Sequence, residues 1–242
     1  MQPFITKVKL SLLLVCLLSV QSLFAEQPKT YTFGVIVFPP LSVILPGSKE
    51  CVGEAIDRTR HIIESSGHQF KFVCAPPARI YKMMELGQVD FTINVKSTKL
   101  LKPHTTFVEP LFTLLNLQMY EYEKDAAKTI SGIRGFDYLG FREKLIEEGY
   151  TFSDLSTPKD SVAMFFKGRT KALITYQRPI SHYLKNYLGD VLPKGIIKKD
   201  LLSMGTYYGV SKQSKHHDEL ITLLQNFIKA NGAPDFISYR PQ

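Results

Sequence analysis

The stretch Pro77-Ala-Arg-Ile-Tyr-Lys-Met-Met-Glu-Leu-Gly-Gln-Val-Asp-Phe-Thr-Ile-Asn-Val-Lys-Ser97 decides how the chain reads. Its first half sets Ile80, Met83 and Met84 on one helical face with Gly87 as the stop, and its second half alternates like a strand, with Phe91, Ile93 and Val95 on one side. A helix that feeds a strand through Gly87-x-x-Asp90 leaves Asn94 to Ser97 at the carboxyl edge of a parallel sheet, where open α/β sheets bind their ligands. The phrase returns between Ser161 and Tyr176: an apolar-faced helix, Gly168 in the place of Gly87, and a strand that Tyr176 ends. Two copies of one α/β device point to two similar lobes. The plainer reading, that helix–glycine–strand phrases are common in any α/β chain, stays open at this point.

Upstream, the strand Tyr31 to Phe38 runs into Pro39 and Pro40, which cannot donate to a sheet ladder, so Phe38 stands at the rim as a stacking surface with Pro40 beside it. A helix over roughly 53–66 and a strand over 69–74 follow. Together they place Cys51 and Cys74 on the same edge, so a disulfide is geometrically reasonable; two buried free thiols are the alternative. Residues 1–25 read as a signal peptide: Lys7 and Lys9, an apolar run from Leu10 to Val20, and Leu23-Phe24-Ala25 before the expected cut. The run falls short of the ~20 residues of a membrane span, although an uncleaved anchor is the other reading. The mature chain is therefore expected in the periplasm, with oxidising surroundings.

Downstream, the apolar stretch Leu111 to Tyr120 suits a strand that crosses between lobes. In Gly132-Ile-Arg-Gly-Phe-Asp137, Gly135 allows a tight turn and Asp137 can cap a helix; the free N–H groups there, with Arg134 beside them, form a site for a carboxylate or similar anion. Pro179 to Leu188 reads as a helix with Ile180, Tyr183, Leu184 and Tyr187 inward, Thr206 to Ser211 as a returning strand, and His216 to Ala230 as a helix striped by Leu220, Leu224 and Phe227. Crossings near 113–121 and 202–210 divide the chain into lobe 1 (26–113 and 210–242) and lobe 2 (114–209, including the hinge strands), with a cleft between them.

The net charge is +8 over 242 residues, two of the lysines lie in the signal, and the excess is spread along the chain. It favours an anionic ligand weakly and gives no stripe for nucleic acid. The chain holds no Gly-x-Ser-x-Gly, no phosphate-binding Walker loop and no His-Glu-x-x-His, and His216-His217 are adjacent, which points their rings apart. No metal and no cofactor are expected.

The mature chain resembles the periplasmic solute-binding proteins of the polar amino acid uptake type, bacterial extracellular solute-binding protein family 3. The matching phrases are Phe38-Pro-Pro-Leu41, Gly53 with Asp57, Arg79 with Leu86-Gly87-x-x-Asp90, Phe107-x-x-Pro110, Gly132 to Gly135, Gly168-Arg169 with Ala172, and Gly209-Val-Ser-Lys212. The resemblance implies a two-lobed α/β fold of the type II periplasmic-binding-protein kind, with lobes joined by two strands that close by hinge motion, and delivery of the ligand to the membrane component of an ABC importer. Members that bind α-amino acids carry an arginine on the loop after the Asp90-type strand and an aspartate at the end of the second-lobe strand. Here the loop reads Lys96-Ser97-Thr98-Lys99, and Tyr176 takes the aspartate's place. A lysine lacks the bidentate fork, and a neutral phenol cannot pair with an ammonium as a carboxylate does.

The expectation is a monomeric, non-enzymatic binder of a small polar solute, anionic or amino-acid-like. Phe38 and Pro40 stack on it; Asn94, Lys96 and Ser97 face it from lobe 1; Arg134, Gly135 and Phe136 hold its anionic group; Tyr176 and Gln177 face across, and Arg79 stands at the rim. A periplasmic sensor or partner-binding protein, or an enzyme on the same scaffold, are the alternatives.

Overall fold

The computed structural model describes residues 27–238 except 46, 49 and 124–126. The signal peptide expected over 1–25 lies outside the described residues. In chain order the elements are β1 (Thr30–Ile36), β2 (Val43–Ile44), β3 (Cys51–Val52), α1 (Glu54–Ser65), β4 (Gln69–Ala75), α2 (Pro77–Glu85) and β5 (Phe91–Asn94). There follow β6 (Thr105–Tyr122), β7 (Thr129–Ile133), α3 (Phe141–Glu147), β8 (Thr151–Leu155), α4 (Pro158–Phe166), β9 (Ala172–Tyr176), α5 (Gln177–Tyr187), β10 (Ile196–Ser211) and α6 (His217–Asn231).

The fold is mixed α/β in two lobes. In the first, β1 lies parallel between β4 and β5; in the second, β7 lies parallel between β8 and β9. Both lobes hang on one antiparallel ribbon, β6 against β10, paired from Thr105–Ser211 to Tyr122–Ile196 with irregularities between Asp200 and Leu202 and between Thr206 and Tyr208. β5 joins the ribbon over Tyr207 to Val210, and β9 joins it at the other end over Leu117 to Glu121. Hydrogen bonding is thus continuous through β4-β1-β5-β10-β6-β9-β7-β8. The repeat led to an expectation of two halves linked by crossing strands; those strands prove long enough to belong to both halves of a single curled sheet.

Each half carries helices on both faces, which bury most of β1, β5 and β9. In lobe 1, Ile56, Ile62, Leu220, Leu224 and Phe227 of α1 and α6 pack against Tyr31 and Phe33, while Ile80, Tyr81 and Met84 of α2 pack on the other face with Val89 and Leu101. In lobe 2, Leu145 of α3 joins Ile130 and Ile174 on one face, and Val162, Phe165 and Ile180 of α4 and α5 join Leu173 on the other. Tyr187 is 54% exposed rather than inward.

The glycine of the opening phrase sits at φ +65°, and a Cβ there would meet the Gln213 carbonyl oxygen at 2.6 Å. Asp90 fastens the same corner: its carboxylate accepts from Thr32 N at 2.7 Å and from Ser214 Oγ at 2.5 Å. Cys51 and Cys74 are joined in a disulfide that ties the start of α1 to β4.

Candidate functional site

The carboxyl ends of β1, β5 and β9 and the turn after β7 converge on the gap between the lobes. Phe38 follows β1 on a loop pinned by a two-way backbone bridge to Ser42, whose hydroxyl also donates to the Ile36 carbonyl at 2.6 Å. From the opposite lobe come Phe136, Asp137 and Tyr138 on the turn and Tyr176 at the end of β9. The Phe38 and Tyr176 rings meet across the gap with centroids 5.5 Å apart, and Tyr176 lies 6.2 Å from Phe136 and 6.1 Å from Tyr138. These rings close over a cavity of about 80 Å³, whose floor includes Val35, Ile93, Phe112 and Leu115.

The turn owes its shape to an arginine. Arg142 of α3 donates to the carbonyls of Phe136 at 2.6 Å and Ile133 at 2.9 Å, reaches Asp154 at 2.8 Å, and lies over the Phe152 ring. Asp137 does act as a cap, accepting from Leu139 N at 3.2 Å, but it caps a single 3-10 turn that precedes α3. Asn94 donates to the Tyr81 hydroxyl at 3.1 Å and accepts from Val95 N and Thr98 Oγ1, both at 2.8 Å. The Tyr138 hydroxyl accepts from Ile133 N at 2.6 Å.

Burial pushes the phenols of Tyr81, Tyr138 and Tyr176 far above their usual pKa, and for Tyr176 the neighbouring Tyr138, Tyr81 and Asp137 add to the effect. Three neutral hydroxyls thus stand near one carboxylate. No lysine or arginine side chain lines the cavity among the described residues.

Of the residues singled out from sequence, Phe38, Asn94, Phe136 and Tyr176 line this cavity. The others lie elsewhere. Lys96 is exposed, paired with Glu109 and set 4.0 Å from the Tyr207 ring centroid. Ser97, Arg79 and Arg134 are exposed, the guanidinium of the last donating to the Asp154 carbonyl at 3.4 Å. Gly135 shapes the turn at φ +81° opposite Ala78 and Tyr81, and Pro40 and Gln177 line a separate outer groove with Arg178. Sequence reasoning missed Tyr81, Asp137 as a wall residue, Tyr138 and Arg142. Lys99 of lobe 1 and Glu143 of lobe 2 form an exposed ion pair at 2.5 Å across the gap.

Among the described residues no group of three His, Cys, Asp or Glu side chains is placed to hold a metal ion, and no helix is long and apolar enough to cross a membrane. The sequence matches no protein-family model and no curated protein. Solved structures do share the architecture. A Salmonella typhimurium periplasmic binding protein with high arginine specificity aligns at 14% identity and TM-score 0.68, covering 87% of this chain and 96% of its own. The substrate-binding protein of an amino acid ABC transporter aligns at 19% identity and TM-score 0.67, covering 86% and 96%. A histidine kinase sensor domain with similarity to periplasmic binding proteins aligns at 17% and 0.67, covering 88% and 94%. At these identities the likeness is one of fold: the chain has the two-lobed architecture of periplasmic binding proteins.

Proposed function

We propose that the protein is an exported, non-enzymatic binding protein that shuts its two lobes on a small solute and passes it to the membrane component of an importer. One observation carries the reading: side chains from both lobes, Phe38 and Asn94 on one side and Phe136, Asp137 and Tyr176 on the other, wall a single cavity bridged by only two strands. Hinged closure around a ligand needs this arrangement. The solved relatives in fold that take up amino acids support it, and the sensor domain supports a signalling variant of the same binding step.

The sequence points to an anionic solute; the cavity walls, whose charged member is Asp137, favour a neutral or cationic one. On this reading Lys96, Ser97, Arg134 and Gly135, which flank the same strand ends, meet the solute in the open form rather than holding it in the closed one. Calorimetry of the purified chain against a metabolite library tests the reading. A compound binding at one site per chain is expected, with at least about tenfold loss in Phe38→Ala and Tyr176→Ala, as for a buried aromatic anchor. Unchanged affinity in both variants would remove the cavity as the site. Slower uptake of the compound in cells lacking the protein distinguishes transport from sensing.

A further inference from the structure

Charge, wall chemistry and hydrogen-bond supply in the cavity agree on one ligand class. Building on the inter-lobe reading above, we propose that the cavity takes a small organic cation whose charge sits on a methylated ammonium group, with no carboxylate at that end. Phe38, Phe136, Tyr138 and Tyr176 form a contiguous set of rings whose neighbouring centroids lie 5.5 to 6.2 Å apart. Ring faces attract cations through their quadrupole, and a group of them is how quaternary ammonium ligands are recognised. Asp137 is the charged side chain of the wall and is negative.

Several of the polar side chains of the wall are already engaged. The Asn94 carbonyl oxygen is taken by Val95 and Thr98 and one of its N–H groups by Tyr81, Ser42 is spent on its own loop, and the Thr206 hydroxyl on the Thr113 carbonyl at 3.0 Å. What remains among the wall side chains is the second carboxylate oxygen of Asp137, one Asn94 N–H, and the Tyr138 and Tyr176 hydroxyls as donors, with no cationic donor beside them among the described residues. A primary ammonium carries three donors and needs as many acceptors; a carboxylate needs donors from cations or free N–H groups. A methylated ammonium needs neither, and its positive charge is met by ring faces and one carboxylate.

The test is calorimetry of the purified chain with choline, its uncharged isostere 3,3-dimethylbutan-1-ol, and L-arginine. Choline is expected to bind at least about tenfold tighter than the isostere, the difference a desolvated cation–π contact supplies. Asp137→Asn, which keeps an oxygen for the Leu139 cap, is expected to weaken choline and leave the isostere unchanged. Tyr176→Leu is expected to weaken choline about tenfold, with the urea midpoint confirming that the variant is folded. Equal binding of choline and isostere, or no binding of choline, overturns the inference. If L-arginine binds instead and Tyr176→Leu abolishes it, only this inference falls; if no metabolite senses Phe38 or Tyr176, the inter-lobe reading falls with it.

Discussion

Asp90 shows how much a single side chain of the opening phrase holds. Its carboxylate is 8% exposed and receives the Thr32 amide and the Ser214 hydroxyl, while its backbone pairs with Thr32 and Ser211. Asp90→Ala leaves those donors buried without acceptors, and urea unfolding should record a loss of about 2–3 kcal/mol. A loss below about 0.5 kcal/mol would mean that water takes the carboxylate's place. The sequence placed this residue correctly at the head of β5 but gave no hint of its partners, since Ser214 is remote in the chain. Arginines were harder to rank. Arg134 draws notice beside Gly135, yet Arg142, eight residues on, holds the turn. Tyr81 escaped because periodicity marks a helix's buried face without telling which part of it meets the sheet and which part meets the opposite lobe.

Among the elements, α6 was the most legible, because its Leu220, Leu224 and Phe227 stripe is long and capped by Gly232. The first half of β10 was illegible for the opposite reason. Ile196 to Leu202 are mostly exposed or half-buried, so no alternation of apolar residues marks a strand whose existence rests on pairing with β6. β7 was also missed, since Ser131 is buried there with its hydroxyl on the Ser161 carbonyl. Glu219 ties α6 to β1, accepting from Lys29 Nζ at 2.7 Å and from the Tyr31 hydroxyl. Burial alone would raise its pKa, but these hydrogen bonds together with the charges of Lys29 and His216 outweigh it and hold the group below its ordinary 4.5. A depressed carboxylate contributes stability fully above the unfolded value and loses it as pH falls through the folded one. Urea midpoints should therefore decline below about pH 4.5 in the wild type, and Glu219→Gln should flatten that limb. An acid limb of unchanged slope in the variant would assign the decline to other carboxylates.

At the scale of the molecule, the two lobes were readable from the repeated helix–glycine–strand phrase, whereas their sharing of one sheet was not, because pairing between β6 and β10 spans most of the second half of the chain. What holds the lobes shut is apolar. The Lys99–Glu143 pair crosses the gap, but its side chains are 61% and 65% exposed, so solvent screens it. Glu143→Lys should change solute affinity by less than about threefold, with the difference vanishing at high salt, as for surface ion pairs. Phe38→Ala, by contrast, should raise the radius of gyration seen by small-angle scattering of the unliganded chain. A larger expansion in Glu143→Lys than in Phe38→Ala would make the ion pair the latch.

The ribbon also dictates an order of assembly. One edge of β5 waits for β10, which is made roughly a hundred residues later, and non-local pairings of that kind form slowly. The residues that make the second lobe, by contrast, follow one another without interruption. A chain emerging N-terminus first therefore completes its inserted half before its flanking half, and the bare β5 edge is where an escort would be needed until synthesis reaches Val210.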